Sequence, residues 1–194
     1  MNYIKNKKDL DGKIVLLRLD LNVPIKNGKI TDETRINKIL PIFKHLIEKK
    51  SKIIVISHIG RPKGQKSEDL SLEPICKCLE LKLKKKINLI KDNIYNLNKK
   101  KLSQEFIDQI IFLENIRFYK EEENNNNHFS KQIASLGDLF VNDAFSCSHR
   151  THASVSEITK FLPSYAGLQL ETEINALKKV TTEIKKPITC IIGG

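Results

Sequence analysis

Short apolar runs that alternate with amphipathic stretches constrain this chain more than any single residue does. Runs at 14–17, 53–56, 110–113, 139–141 and 188–192, with a weaker one at 87–90, have the length and the Ile/Val/Leu content of buried strands. Between them, apolar residues return with a helical period. Ile36, Ile39, Leu40, Phe43, Leu46 and Ile47 share one face of a helix that Thr31 or Asp32 can cap, and Pro41 predicts a kink within it. Ser71 opens a second helix with Leu72, Ile75, Cys76, Leu79 and Leu83 on one face. Shorter helices are expected over 129–136 and 153–161. A long one is expected over 170–184, marked by Leu170, Ile174, Leu177 and Ile184 and stopped by Pro187. The Asn/Lys-rich stretch 91–105 follows no period.

Strands that alternate with helices predict an α/β fold. The expected architecture is an open parallel sheet of about six strands with helices on both faces, a Rossmann-like three-layer arrangement. All its strands point one way, so the polar segments after residues 17, 56, 113 and 141 must emerge at a single carboxyl edge. Open α/β sheets bind their ligands at that edge. Arg35, in the first turn of the helix returning from the edge, joins them.

Those segments hold most of the arginine. Of 34 basic residues only five are arginine: Arg18, Arg35, Arg61, Arg117 and Arg150. The planar guanidinium matches phosphate and carboxylate bidentately, which lysine's point charge does not. His58-Ile59-Gly60-Arg61 joins an imidazole and a guanidinium across a flexible backbone whose amides can approach an anion. Asp20 and Asn22 at a strand end suit a hydroxyl or carboxylate, or form an Asx turn before Pro24. Arg117 is suited to an anion or to an ion pair with Glu114 or Glu121. His149 and His152 flank Arg150, whose charge would repel a metal cation, so an anion fits better and no metal centre is expected. Arg18, inside a strand pattern, reads as one half of a structural ion pair. There is no Walker loop, no complete GxGxxG and no nucleophile–base pair, so the site reads as a holder for a phosphorylated, carboxylate-bearing small molecule.

Composition narrows the partners. The net charge of +11 comes largely from lysine runs such as 84–86 and 99–101, with no Trp and 6% aromatic residues to stack on bases, so no nucleic-acid partner is expected. No apolar run approaches a membrane span, and the N-terminus is too polar for a signal peptide. Cys76, Cys78, Cys147 and Cys190 form no zinc-type pairs and read as reduced thiols of a cytoplasmic protein.

Six motifs, in order and spacing, resemble the phosphoglycerate kinase family. They are Arg18-Leu19-Asp20-Leu21-Asn22-Val23-Pro24, Ile30-Thr31-Asp32-Glu33-Thr34-Arg35-Ile36, Ser57-His58-Ile59-Gly60-Arg61-Pro62, Leu113-Glu114-Asn115-Ile116-Arg117-Phe118, Val141-Asn142-Asp143-Ala144-Phe145 and Ser148-His149-Arg150-Thr151-His152-Ala153-Ser154. The resemblance implies a 3-phosphoglycerate-binding domain over 1–169, an interdomain helix over 170–186, and over 187–194 the first strand of a nucleotide-binding domain that is otherwise missing. It places the non-transferred phosphate among His58, Arg61, Arg117 and Arg150, with Ile59 and Gly60 also counted as substrate-binding. The hydroxyl and carboxyl region would lie near Asp20, Leu21 and Asn22, and Arg35 would be the catalytic cation beside the transferred phosphoryl group. The implied reaction moves that group between 1,3-bisphosphoglycerate and ADP, with Mg2+ and ATP or ADP held mainly beyond Gly194.

This chain alone is then expected to bind 3-phosphoglycerate, as a monomer, and to be inactive. One departure is Ser146-Cys147, where many relatives carry Gly first; a stiffer loop is expected there. Two rival readings are a phosphometabolite-binding module without chemistry and a basic surface for nucleic acid. Activity after the missing half is supplied separates the first, and steep salt dependence would mark the second.

Overall fold

Alternate residues of the apolar runs go to opposite faces of one sheet, and both faces are covered. The computed structural model describes residues 1–26, 28–182, 187 and 189. Along the chain run β1 (Ile14–Leu19), the short pair β2 (Ile25–Lys26) and β3 (Lys29–Ile30), α1 (Thr34–Glu48), β4 (Lys52–Ile56), α2 (Glu73–Leu83), β5 (Ile87–Ile90), α3 (Lys99–Glu105), β6 (Ile110–Leu113), α4 (Lys120–Glu123), α5 (Asn127–Ala134), β7 (Leu139–Asp143), β8 (Ser164–Ala166) and α6 (Leu168–Thr181). The main sheet is six-stranded and parallel throughout, in the order β5-β6-β4-β1-β7-β8. The three-layer expectation therefore holds.

On one face Val15, Leu17, Val55 and Phe112 pack with Ile36, Ile39 and Phe43 of α1 and with Ile75 and Leu79 of α2. On the other, Leu16, Ile54, Ile111 and Phe140 pack with Leu102 of α3 and with Phe129 and Ile133 of α5. Strands buried on both faces read as unbroken apolar runs, which is why they were legible. Arg18 is the exception, a fully buried cation in β1. Burying a lone guanidinium costs several kcal/mol, on the order of a whole large apolar side chain's gain, so its partners must matter.

Some elements differ from expectation. The helix expected over 153–161 is a set of turns closed by a 3-10 helix at Glu157–Lys160. The segment is pinned at its start, where Ala153 N–H donates to the Glu122 carbonyl and Ser154 N–H to the Glu122 carboxylate. The stretch 91–105 holds a 3-10 helix at Ile94–Asn96 and then α3, each capped by an asparagine, Asn93 and Asn98. The β2–β3 pair and β8 carry too few residues to show a period. Helix α1 runs on through Pro41 and begins beyond the expected caps, with Asp32 Oδ1 accepting the Thr34 amide at 2.8 Å. Helix α2 starts at Glu73, whose amide donates to Ser71 Oγ at 3.2 Å. Helix α5 starts at Asn127, and α6 spans Leu168–Thr181 rather than 170–184. The strand expected over 188–192, the turn at Gly193-Gly194 and Cys190 lie outside the described residues. Among the described residues no helix is long and apolar enough to cross a membrane.

Candidate functional site

In parallel register, β1, β4, β6 and β7 deliver Asp20, Ser57, Glu114 and Ala144 at one edge of the sheet. Two loops there are tied together by one buried carboxamide, which holds both ends of the long β4–α2 connection. Asn115 Nδ2 donates to the carbonyls of Ile59 (2.8 Å) and Leu70 (2.9 Å), and its Oδ1 accepts the Arg117 amide (3.1 Å). Gly60 sits at φ +64°, and a Cβ there would meet Leu70 Cδ2 at 2.6 Å, so glycine is favoured.

Arg18 crosses from the strand into this rim. Its Nε donates to Ser154 Oγ (3.0 Å), Nη2 lies 3.0 Å from His58 Nδ1, and Nη1 donates to the Leu19 carbonyl. A guanidinium cannot accept, so Nδ1 of His58 must, and the ring proton resides on Nε2. Burial, then the charges of Arg18, Arg117, Arg150 and His152, push the His58 pKa down to about 2, so the ring is neutral. No carboxylate pairs with Arg18 directly among the described residues. The hydroxyl of Ser154 stands between it and Glu122, donating to Oε1 at 2.6 Å.

Arg117 is nearly as buried. Its Nη1 donates to the Gly60 carbonyl at 3.2 Å, and Nε lies 3.5 Å from Glu123 rather than from Glu114 or Glu121. Glu114 instead accepts from Ser71 and the Leu72 amide at the start of α2. Among the described residues, three buried guanidinium donors here have no hydrogen-bond partner, Arg117 Nε and Nη2 and Arg150 Nε, and neither has His152 Nδ1. Unmet donors in one cationic cluster suit an anion, because each carries a desolvation cost that an acceptor would relieve.

A second group lies beside it. Asp20 holds Arg35 in an ion pair and accepts from Ser146 Oγ. Asp20 Oδ1 also accepts the Asn22 amide at 3.1 Å, the Asx turn allowed by the sequence. Asp20, Arg35, Lys38, Asp143, Ser146 and Glu173 line a cleft of about 210 Å3. Asn22 links the two groups, since its Oδ1 accepts the Gly60 amide at 3.0 Å.

The expected residues thus fall into a cluster of buried His58 and Arg117 with half-buried Arg150, and a neighbouring cleft (Asp20, Arg35). Arg61 is exposed next to Gly60. Leu21 gives its amide to Ser57 Oγ (3.3 Å), and the Ile59 carbonyl and both Gly60 backbone groups already have partners. Arg18 and Ser154 were not read as site residues. The only sequence signal was an arginine inside an apolar run.

Asp143, at the end of β7, anchors α6: its Oδ1 accepts the Leu170 amide at 2.8 Å, and Oδ2 is buried without a partner. Burial pushes its carboxyl up to about 6, against the pull of the Leu170 and Gln169 amides. The folded chain then holds a proton that the unfolded chain releases near pH 4. This residue therefore lowers stability as pH rises from about 4 to about 6. Asp143→Asn should remove that slope and raise stability at pH 7 by about 2 kcal/mol, read from urea midpoints at pH 5 and pH 7.

Comparison with known proteins agrees with these motifs. The phosphoglycerate kinase family model matches residues 4–194. The phosphoglycerate kinase of Wolbachia sp. subsp. Brugia malayi is 52% identical over 186 residues, covering 96% of this chain and 46% of that protein. That of Dictyoglomus turgidum is 46% identical over 187 residues, with 96% and 47% covered. Among solved structures, phosphoglycerate kinase from Coxiella burnetii superposes with a TM-score of 0.85 at 37% identity, over 95% of this chain and 46% of that one. Phosphoglycerate kinase from Pyrococcus horikoshii superposes with a TM-score of 0.84 at 29% identity, over 96% and 47%. The chain spans about half the length of the curated relatives it matches.

Proposed function

The chain belongs to the phosphoglycerate kinase family, and we propose that it is the half of such an enzyme that grips 3-phosphoglycerate. The carrying observation is the set of buried guanidinium donors on Arg117 and Arg150 that lack acceptors among the described residues, near the neutral His58. In this reading His58 Nε2, Arg61, Arg117 and Arg150 hold the non-transferred phosphate, and His152 adds to them. The hydroxyl and carboxyl meet Asp20, Asn22 and the backbone near Leu21. Arg35 in the adjoining cleft neutralises charge on the transferring phosphoryl group, so the protein contributes position and charge rather than a covalent intermediate. Asp20, already paired with Arg35, fixes where that guanidinium waits.

Residues 1–169 form the binding domain in this proposal, 170–186 the interdomain helix and 187–194 the first strand of a nucleotide domain. Phosphoryl transfer between 1,3-bisphosphoglycerate and ADP, a glycolytic and cytoplasmic setting and a monomeric state belong to the same proposal. The described residues do not fit the Mg2+ and ATP or ADP that this reaction uses. Among them no three of His, Cys, Asp and Glu converge as metal ligands, and the arginine cluster repels a cation. No step is therefore derived through the nucleotide.

Calorimetric titration with 3-phosphoglycerate tests the proposal. Arg61→Ala and Arg150→Ala should each weaken binding by about tenfold. Equal heats from the parent chain and both variants would refute it.

A further inference from the structure

Beneath the anion cluster lies a buried carboxylate that the proposed binding chemistry does not touch. Glu122 is fully buried at the end of the four-residue helix α4, with no lysine or arginine within ion-pair distance among the described residues. Its nearest titratable neighbour is His152, whose Nδ1 lies 3.8 Å from Oε1. Both carboxylate oxygens are engaged with one residue: Ser154 N–H donates to Oε2 at 2.9 Å and Ser154 Oγ to Oε1 at 2.6 Å. That hydroxyl, having spent its proton on Glu122, can only accept from Arg18, and Arg18 Nε donates to it at 3.0 Å. The other end of the same guanidinium meets His58 Nδ1 at 3.0 Å. All four side chains are buried. Every donor in the row points in a direction fixed by its neighbour, so the row has one consistent proton arrangement.

We propose that Glu122 and Ser154 are positioning residues for the anion site: through Arg18 they lock His58 in the tautomer that keeps Nδ1 an acceptor and presents Nε2–H to the ligand. The ligand-facing role of His58 rests on the phosphoglycerate reading, whereas the tautomer lock does not. Three features support the lock. A guanidinium free to rotate would offer Nδ1 no fixed donor, and Arg18 is fixed at all three of its nitrogens. Glu122 fixes the Ser154 hydroxyl that holds Arg18, and the Arg18 charge counters the burial that pushes the Glu122 carboxyl up. The same carboxyl residue, by accepting the Ala153 and Ser154 amides, shapes the segment that follows Arg150 and His152, so it sets two walls of the cluster at once.

The test is long-range 1H–15N NMR of the histidine side chains of this chain at pH 7, without ligand. The parent chain should show His58 as one Nε2–H tautomer. Ser154→Ala should leave the backbone amide spectrum folded while His58 averages between tautomers, and affinity for 3-phosphoglycerate should fall about tenfold. Ser154→Thr, which keeps the hydroxyl, should restore the single tautomer. Glu122→Gln puts an amide where two donors converge and should act as Ser154→Ala does.

A His58 that carries its proton on Nδ1 in the parent chain would overturn the proposal even if every variant failed to fold. So would a folded Ser154→Ala chain whose His58 stays locked. If the parent chain binds no 3-phosphoglycerate yet the tautomer responds as stated, the lock stands and the phosphoglycerate reading fails.

Discussion

Arg117→Met should abolish most of the chain's hold on 3-phosphoglycerate while leaving the fold at least as stable as before. The side chain is 3% exposed, and two of its nitrogens find no acceptor. Burial and the neighbouring Arg150 both disfavour its charge, opposed by Glu123. In the ligand-free chain that guanidinium is therefore an unrelieved cost, and methionine keeps its apolar stem without the charge. With a phosphate bound, the same group would make charge-assisted bonds out of water, and losing them should weaken binding about a hundredfold. The signature is the opposite sign of the two effects, a urea midpoint that holds or rises and a calorimetric affinity that collapses. A variant that loses stability and binding together would mark Arg117 as a scaffold residue instead. Groups kept for a ligand commonly cost the empty protein stability.

Phe112→Ala should cost about 4 kcal/mol and bring the chain close to global unfolding at moderate temperature. Phe112 is fully buried in β6, one strand in from the edge of the sheet, and stacks on Phe43 of α1 with ring centroids 6.5 Å apart. Its removal empties a space bounded by strand and helix backbones that cannot close in. Loss of near-ultraviolet ellipticity on heating should move to lower temperature by roughly 8–16 °C, at about 2–4 °C per kcal/mol for a chain of this size. A shift as small as that of an exposed substitution would mean that the α1 face of the sheet is far more pliable than its packing indicates.

The fold was legible where burial is two-sided. Each of the strands read at 14–17, 53–56, 110–113 and 139–141 has helices over both faces, so no polar residue interrupts it. What escaped were elements held by side-chain-to-backbone bonds. Asn98 starts α3 by accepting the Lys101 amide, and Glu122 pins the turns at 153–154 by accepting two of their amides. Neither interaction leaves a period.

The candidate site was legible in outline for a topological reason: parallel strands put every strand's carboxyl end on one rim. Its division into a buried cluster and a cleft was not, because that depends on where side chains turn after leaving the strand. Asp20 turns to Arg35, whereas Asn22 turns to Gly60. The expectation of a stiffer loop at Ser146 finds a specific form in the hydroxyl that donates to Asp20. The ion pair expected of Arg18 has become an indirect one, with a serine between the charges.

The carboxamide of Asn115 has an implication for how this rim can change. By stitching both ends of the β4–α2 loop to the turn that carries Arg117, it makes two excursions of the chain behave as a single plate. A residue inserted beside either tether would drag the other loop, so new length can be accommodated only elsewhere. Diversification of this scaffold by loop grafting should therefore succeed at the opposite, amino-terminal rim and fail here, even where the grafted segment touches no arginine.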